Sequence, residues 1–183
     1  MAAPLTVDFV AGETGPWRIT SIRAVAGEPL APAPCLRIGD PGAAGVWRLR
    51  GVVSNLRYTT KAEAADLAAR QEGLGRKAAT RAALIPIRKS PEWWALAQDE
   101  RREIMEAQSR HIAIGRDYLP AIARRLHHSR DLGEPFDFLT WFEFAPSDTP
   151  AFDAMLARLR ATPEWRFVSR EVDIRLARDA SPD

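Results

Sequence analysis

The segment Phe136-Asp-Phe-Leu-Thr-Trp-Phe-Glu-Phe144 alternates large apolar residues with other residues almost perfectly, and it is the clearest β-strand signal in the chain. A helix is expected to start at Thr149 and Pro150, because proline is favoured in the first turn of a helix. The stretch from Glu164 to Ile174 is expected to form the next strand. The sequence from 136 to 174 therefore predicts a strand–helix–strand unit.

The segments before residue 136 repeat this order of elements. A strand is expected over 46–53, a helix over 60–80 and a short strand over 84–87. A long helix over 91–114 and a second helical stretch broken at Pro120 stand between the two units. Two such units form the split βαβ arrangement, so we expect an α+β, ferredoxin-like domain with a helical insertion.

The N-terminal part is expected to be a reduced addition to this domain. Residues 5–10 and 17–25 have the pattern of short strands, and three prolines follow within 28–34. Those prolines exclude a helix and a central strand, so the segment is expected to be a linker or an extended wrap over a neighbour. We therefore divide the chain into N-terminal strands and the Pro-rich segment (1–40) and one ferredoxin-like domain (41–183).

Composition excludes several classes of protein. The 183 residues carry 26 Lys and Arg against 24 Asp and Glu, a net charge of +2. Arginines are interleaved with acidic residues, as in Asp99-Glu-Arg-Arg-Glu103, so a nucleic-acid partner is not expected. No apolar run approaches the roughly 20 residues of a membrane helix. Cys35 is the only cysteine, which excludes an internal disulfide, a Cys-pair zinc site and covalent haem attachment. Without a secretory signal pattern, we expect a cytoplasmic protein with no membrane partner.

Histidines are few, and one of them is informative. His127 and His128 are adjacent and point in divergent directions on any regular element, so a three-histidine metal site is not expected. His111 lies on an apolar stripe at helical spacing: Ile104, Ala107, His111 and Ile114. Spacing alone favours a buried, hydrogen-bonded histidine. The alternative is a haem ligand, because haem needs only one such residue from the protein.

Several motifs together resemble a known family. They are Ile85-Pro-Ile-Arg-Lys-Ser-Pro-Glu-Trp-Trp94, Glu100-Arg-Arg-Glu-Ile-Met105 followed by His111, Arg124-Arg-Leu-His-His-Ser129 and Asp137-Phe-Leu-Thr-Trp-Phe-Glu143. In order and spacing they are similar to the core signature of the chlorite dismutases, from about residue 46 to 175. The 13-residue step from His111 to Arg124 is the most specific element. The short N-terminal part resembles the dimeric branch of the family, whose fold is a dimeric α/β barrel.

The resemblance implies a non-covalent haem b, one per subunit, and a role for each matched residue. His111 would be the proximal iron ligand and Arg124 the distal arginine, with Gln71 as the distal glutamine beside it. Glu164 would accept a hydrogen bond from the proximal imidazole, and Lys89 would join that network. The remaining matched positions line the haem: Trp93 at its periphery, and Leu126 and Phe142 over its distal face.

The family reaction converts chlorite to chloride and dioxygen, with formation of the O–O bond, and detoxification is the role that it implies. A coprohaem decarboxylase-like enzyme is the nearest rival, and Arg124 argues against it because that branch typically lacks the distal arginine. A non-catalytic ferredoxin-like dimer, with or without haem, stays open. A homodimer is also expected from the residues, because two helices cannot cover all the aromatic side chains of 136–144.

Overall fold

The strands of the protein close into one barrel. The computed structural model describes residues 5–39, 41–53, 61–70 and 73–179. Within these residues, every strand pairing is antiparallel, in the closed order β1-β3-β2-β8-β5-β7-β6-β4. The strands are β1 (Thr6–Gly12), β2 (Trp17–Ala26), β3 (Cys35–Ile38), β4 (Trp47–Val53), β5 (Arg81–Lys89), β6 (Ala123–His128), β7 (Phe138–Phe144) and β8 (Val168–Ala177). With the helices outside, this is an α+β fold.

All the α-helices of the described residues come after β4 in the chain, and they are short. They are α1 (Lys61–Arg70), α2 (Pro91–Ala95), α3 (Gln98–Arg102), α4 (His111–Arg116) and α5 (Thr149–Arg160). A π-helical segment occupies Glu103–Gln108, and 3₁₀ turns occupy Arg130–Leu132, Pro146–Asp148 and Pro163–Phe167. No helix in the described part of the chain is long and apolar enough to cross a membrane.

Two helices predicted from the sequence are shorter than expected. The one predicted over 60–80 runs from Lys61 to Arg70, and 73–80 is not helical. Gly75 there has a φ of 84°, which a right-handed helix cannot contain. The helix predicted over 91–114 is interrupted because Leu96 and Ala97 are extended.

The stretch around Pro120 is not the second helix that was expected. Its C-terminal part is strand β6, which pairs with β7 from Ala123↔Glu143 to His128↔Phe138. Its sequence, Ala-Arg-Arg-Leu-His-His, has no marked strand pattern. Pairing with the strongly patterned β7 on one side and with β4 on the other decides the conformation.

The barrel has two apolar layers, and together they bury Trp141, Phe142 and Phe144 of β7. Leu139 and Trp141 point into the barrel, where Phe9, Leu84 and Ile174 are also buried. On the outer face, α5 covers β5 and β7 through contacts such as Phe142 and Phe144 against Phe152. One chain therefore buries three of the four aromatic side chains of β7, whereas Phe138, which stacks against Trp94, is half-buried.

The N-terminal strands belong to the same barrel. β1 pairs with β3 and β4, and β2 pairs with β8. The Pro-rich segment wraps the barrel: Arg170 donates to the carbonyls of Glu28 and Pro29 at 2.9 and 3.1 Å, and Trp47 Nε1 donates to that of Ala31 at 2.9 Å. The division of the chain near residue 40 stays a prediction, although strands from both sides share one barrel.

His127 is a buried histidine inside the barrel, with a fixed tautomer. Arg125 Nε donates to its Nε2 at 3.2 Å, so Nδ1 carries the proton and donates to the Leu139 carbonyl at 3.0 Å. The pKa of His127 is lowered to about 4, mainly by burial and also by the charge of Arg125, against the opposing effect of the Leu139 carbonyl. The His127 imidazole is therefore neutral in the folded protein at neutral pH.

This histidine is expected to make the protein sensitive to acid. The unfolded chain takes up its proton near pH 6.5 and the folded chain only near 4, so the contribution is complete above 6.5 and is lost as the pH falls to 4. We expect the loss to be about 3 kcal/mol of the free energy of unfolding. Urea unfolding of wild type and His127→Gln at pH 7 and 4.5 measures it. Equal losses in both proteins would contradict the assignment.

Candidate functional site

The site is built on the segment that leads into α4, with His111 as the first residue of that helix. The segment is not a continuous helix: the π-helical turn over Glu103–Gln108 ends, and Arg110 takes a left-handed conformation with a φ of 52°. The apolar stripe predicted from helical spacing is therefore wrong, and Ala107 is exposed. His111 nevertheless lies against the protein, with 26% of its side chain exposed.

The buried carboxylate of Glu164 bonds both His111 and Lys89, the two residues that the resemblance had assigned to the same network. The Nδ1–H of His111 donates to Oε2 of Glu164 at 2.7 Å, and Lys89 Nζ donates to Oε1 at 2.7 Å. Glu164 is on the 3₁₀ turn before β8, and Lys89 ends β5. Burial alone would raise the pKa of Glu164, but His111 and Lys89 outweigh it and lower the pKa to about 2. The carboxylate is therefore ionised at neutral pH.

Indole rings enclose this network. Trp93, predicted at the haem periphery, is only 1% exposed, and Lys89 Nζ lies 4.4 Å from its ring centroid. Trp165, which the sequence analysis did not single out, stacks on His111 with ring centroids 6.2 Å apart. Its Nε1 donates to buried Glu171 at 2.8 Å. Trp165 directly follows Glu164 in the chain, and this neighbourhood could have indicated from the sequence that it lies at the site.

Arg124 is on β6, directly opposite Phe142 of β7, on the outer face of the barrel. Its guanidinium lies against α4 at Gly115, where the Cβ of any other residue would collide with it. Gly115 is one helical turn after His111, so this close approach brings the arginine near the helix that carries the histidine. Burial lowers the pKa of Arg124, but a guanidinium stays charged at neutral pH.

The other predicted residues have different outcomes. Leu126 follows Arg124 on the same face of β6 and is 38% exposed, whereas Phe142 is 5% exposed and packs on Phe152. Gln71 lies outside the described residues. The helix before it, α1, is joined to α4 by an ion pair between Asp66 and Arg116 at 2.6 Å.

The chemistry of the cluster suits one axial metal ligand. A carboxylate on Nδ1 fixes the tautomer and leaves Nε2 as the nitrogen that can bind a metal. Haem supplies four nitrogens itself and needs one more from the protein, so the residues present fit a haem. The fold and the cluster thus define a class: α+β barrel proteins with a single histidine suited to axial ligation and a half-buried arginine beside its helix.

Comparison with known proteins narrows this class to a family. A family model described as chlorite dismutase matches residues 44–179. The chain belongs to the chlorite dismutase family.

Relatives of known structure share the fold. The dimeric chlorite dismutases from Nitrobacter winogradskyi are 56% identical, with a TM-score of 0.90 over 96% of this chain and 100% of that one. A mutant chlorite dismutase from Candidatus Nitrospira defluvii, in complex with cyanide, is 27% identical, with a TM-score of 0.59 over 81% of this chain and 56% of that one. A curated chlorite dismutase from Ideonella dechloratans is 31% identical over 121 residues, and the match spans 65% of this chain but only 40% of that protein.

Proposed function

We propose that this protein binds one haem b per subunit through His111 and converts chlorite to chloride and dioxygen. The observation that carries the proposal is the chain of hydrogen bonds from Lys89 through Glu164 to His111, at 2.7 Å each. In a member of the chlorite dismutase family, this network supports the use of His111 as the proximal ligand.

Each residue of the network has a chemical role in this proposal. Glu164 holds the Nδ1 proton of His111 and makes the imidazole a stronger electron donor through Nε2. Lys89 keeps Glu164 ionised inside the protein, where an unpaired carboxylate would be costly. Trp93 and Trp165 exclude water from the charged pair. When bound, the haem iron would supply the redox chemistry that cleaves a Cl–O bond.

Arg124 is proposed to bind the anionic substrate chlorite and the hypochlorite formed from it. Its guanidinium attracts chlorite and retains the hypochlorite left after Cl–O cleavage, because a planar fork of donors suits an oxyanion. Phe142 and Leu126 offer apolar walls that would limit the escape of this oxidant. Gln71 is proposed to limit the movement of Arg124 through a side-chain hydrogen bond.

The experiment that tests the function is an oxygen-electrode trace after chlorite is added to the haem-loaded protein. We expect dioxygen release and a Soret band on the purified protein. A Soret band with no dioxygen release would contradict the proposed reaction and favour a non-catalytic haem protein. The same sample, given coprohaem and peroxide, tests the coprohaem decarboxylase-like alternative: decarboxylation without dioxygen release would replace our proposal.

We also infer that the C-terminal half of the barrel is a ferredoxin-like unit. The strand order β8-β5-β7-β6 is the 4-1-3-2 order of a split βαβ fold, with the helices between β5 and β6 as its first crossover. In this interpretation the unit starts at β5, and the helical segment is part of it rather than an insertion.

A homodimer is part of the proposal, supported by the dimeric relatives from Nitrobacter winogradskyi. We expect sedimentation to give twice the mass of one chain at micromolar concentration. Trp141, Phe142 and Phe144 of β7 are already buried in one chain, so they are not available to the interface. A monomer under these conditions would contradict the prediction.

A further inference from the structure

The residues just before His111 have an unusual backbone. Ser109 N–H donates to the Ile104 carbonyl at 3.1 Å, which is the π-helical pattern, and Arg110 then takes a φ of 52°. A non-glycine residue in the left-handed region is uncommon and is strained unless the surroundings hold it. The orientation of His111 therefore depends on contacts that fix this junction.

Two side chains supply such contacts, and both come from the segment just before His111. The carboxylate of Glu106 accepts the backbone N–H of Ile112 at 2.9 Å, so it caps the first turn of α4 from the preceding segment. The hydroxyl of Ser109, which is 3% exposed, accepts the backbone N–H of Glu164 at 2.9 Å. One contact holds the helix that carries the imidazole, and the other holds the turn that carries its carboxylate partner.

We propose that Glu106 and Ser109 are positioning residues for His111. Glu106 fixes the position of the first turn of α4, and Ser109 fixes the position of the turn that carries Glu164. Neither would touch the iron. Without the Glu106 cap, the Ile112 N–H loses its partner and the first turn of α4 is free to shift. Without the Ser109 hydroxyl, the turn that carries Glu164 loses its tie to the segment before His111. Either change loosens the 2.7 Å bond between His111 and Glu164.

The proposal rests on the proposed function, because it takes His111 as the haem ligand, and its test separates the two. The first measurement is made on haem-loaded protein: the rate of haem transfer to excess apomyoglobin and the iron–histidine stretching frequency of the ferrous form. We expect Glu106→Ala and Ser109→Ala to lose haem about fivefold faster, the factor for one lost cap, and to shift the frequency. A merely structural role would lower the melting temperature and leave the frequency unchanged, which would overturn the proposal.

Two variants serve as controls. Glu103→Ala removes an exposed carboxylate from the same π-helical segment and is expected to match wild type. Glu106→Gln keeps an oxygen that can accept the Ile112 N–H, so it is expected to restore both readouts; if it behaves like Glu106→Ala, the cap is not the cause and the proposal fails. Glu106→Gln and Ser109→Ala also decide the question if Glu106→Ala does not fold.

A second measurement uses the haem-free protein. The Nδ1 proton of His111, held by Glu164, is expected to give a slowly exchanging, downfield NMR signal that Glu106→Ala and Ser109→Ala weaken. If wild type takes up no haem, the proposed function fails while this signal still tests the positioning. If wild type takes up haem and the signal is unchanged in both variants, the positioning proposal alone is overturned.

Discussion

His111→Ala is expected to abolish most haem binding while the barrel stays folded. The side chain is partly exposed and lies outside the apolar layers, so its loss leaves those layers intact. The carboxylate of Glu164 keeps its ion pair with Lys89 when the imidazole is removed, and the Glu164 backbone N–H keeps Ser109, so the buried carboxylate stays paired and in place. Partners that only orient a metal ligand typically contribute 10- to 100-fold to affinity, so we expect loss of the ligand itself to cost at least about 100-fold.

A haemin titration of the haem-free protein, followed at the Soret band, measures this effect. His127→Gln is the matched control, since it removes a histidine from inside the barrel and is expected to bind haem like wild type. Circular dichroism and the urea midpoint show whether each variant is folded. Full haem retention by His111→Ala, with an unchanged spectrum, would show that another residue is the ligand.

The parts of the fold with strong local signals could be predicted from the sequence. The alternation of 136–144 predicted β7, and the proline at the start of α5 predicted where that helix begins. The network of Lys89, Glu164 and His111 is different, because these residues are far apart in the chain and each would pass for an ordinary charge or core histidine. They were found together only through the resemblance to a family.

The parts that depend on distant strands could not be predicted. Strand β6 forms between β4 and β7, and the barrel closes through β1 with β4 and β2 with β8. No local pattern encodes these pairings, because strand formation depends on the neighbours a strand receives. Gly115 is a second example: its lack of a side chain matters only because Arg124 from another element lies against it.

Arg124→Ala is expected to keep haem and some dioxygen release, but to leak hypochlorite and inactivate sooner. His111 and its network are intact in this variant, so haem binding does not depend on the guanidinium. The charge proposed to retain hypochlorite is absent, and the released oxidant would attack the haem and the nearby Trp side chains. Loss of a charge-assisted hydrogen bond corresponds to roughly a tenfold or larger effect, so we expect about tenfold fewer turnovers before inactivation. Arg124→Lys should be intermediate at best, because an ammonium keeps the charge but loses the planar fork.

Chlorite progress curves with a hypochlorite trap measure both quantities for each variant. Arg18→Ala, which removes an exposed arginine from β2, is the control for a general loss of positive charge and is expected to match wild type. Gly115→Ala offers a second route to the same site, because its methyl group must push the guanidinium of Arg124 away from α4 while the charge is kept. We expect it to release more hypochlorite than wild type but less than Arg124→Ala. If Arg124→Ala equals wild type in turnovers and in trapped hypochlorite, this arginine takes no part in the reaction, and the anion must be retained elsewhere.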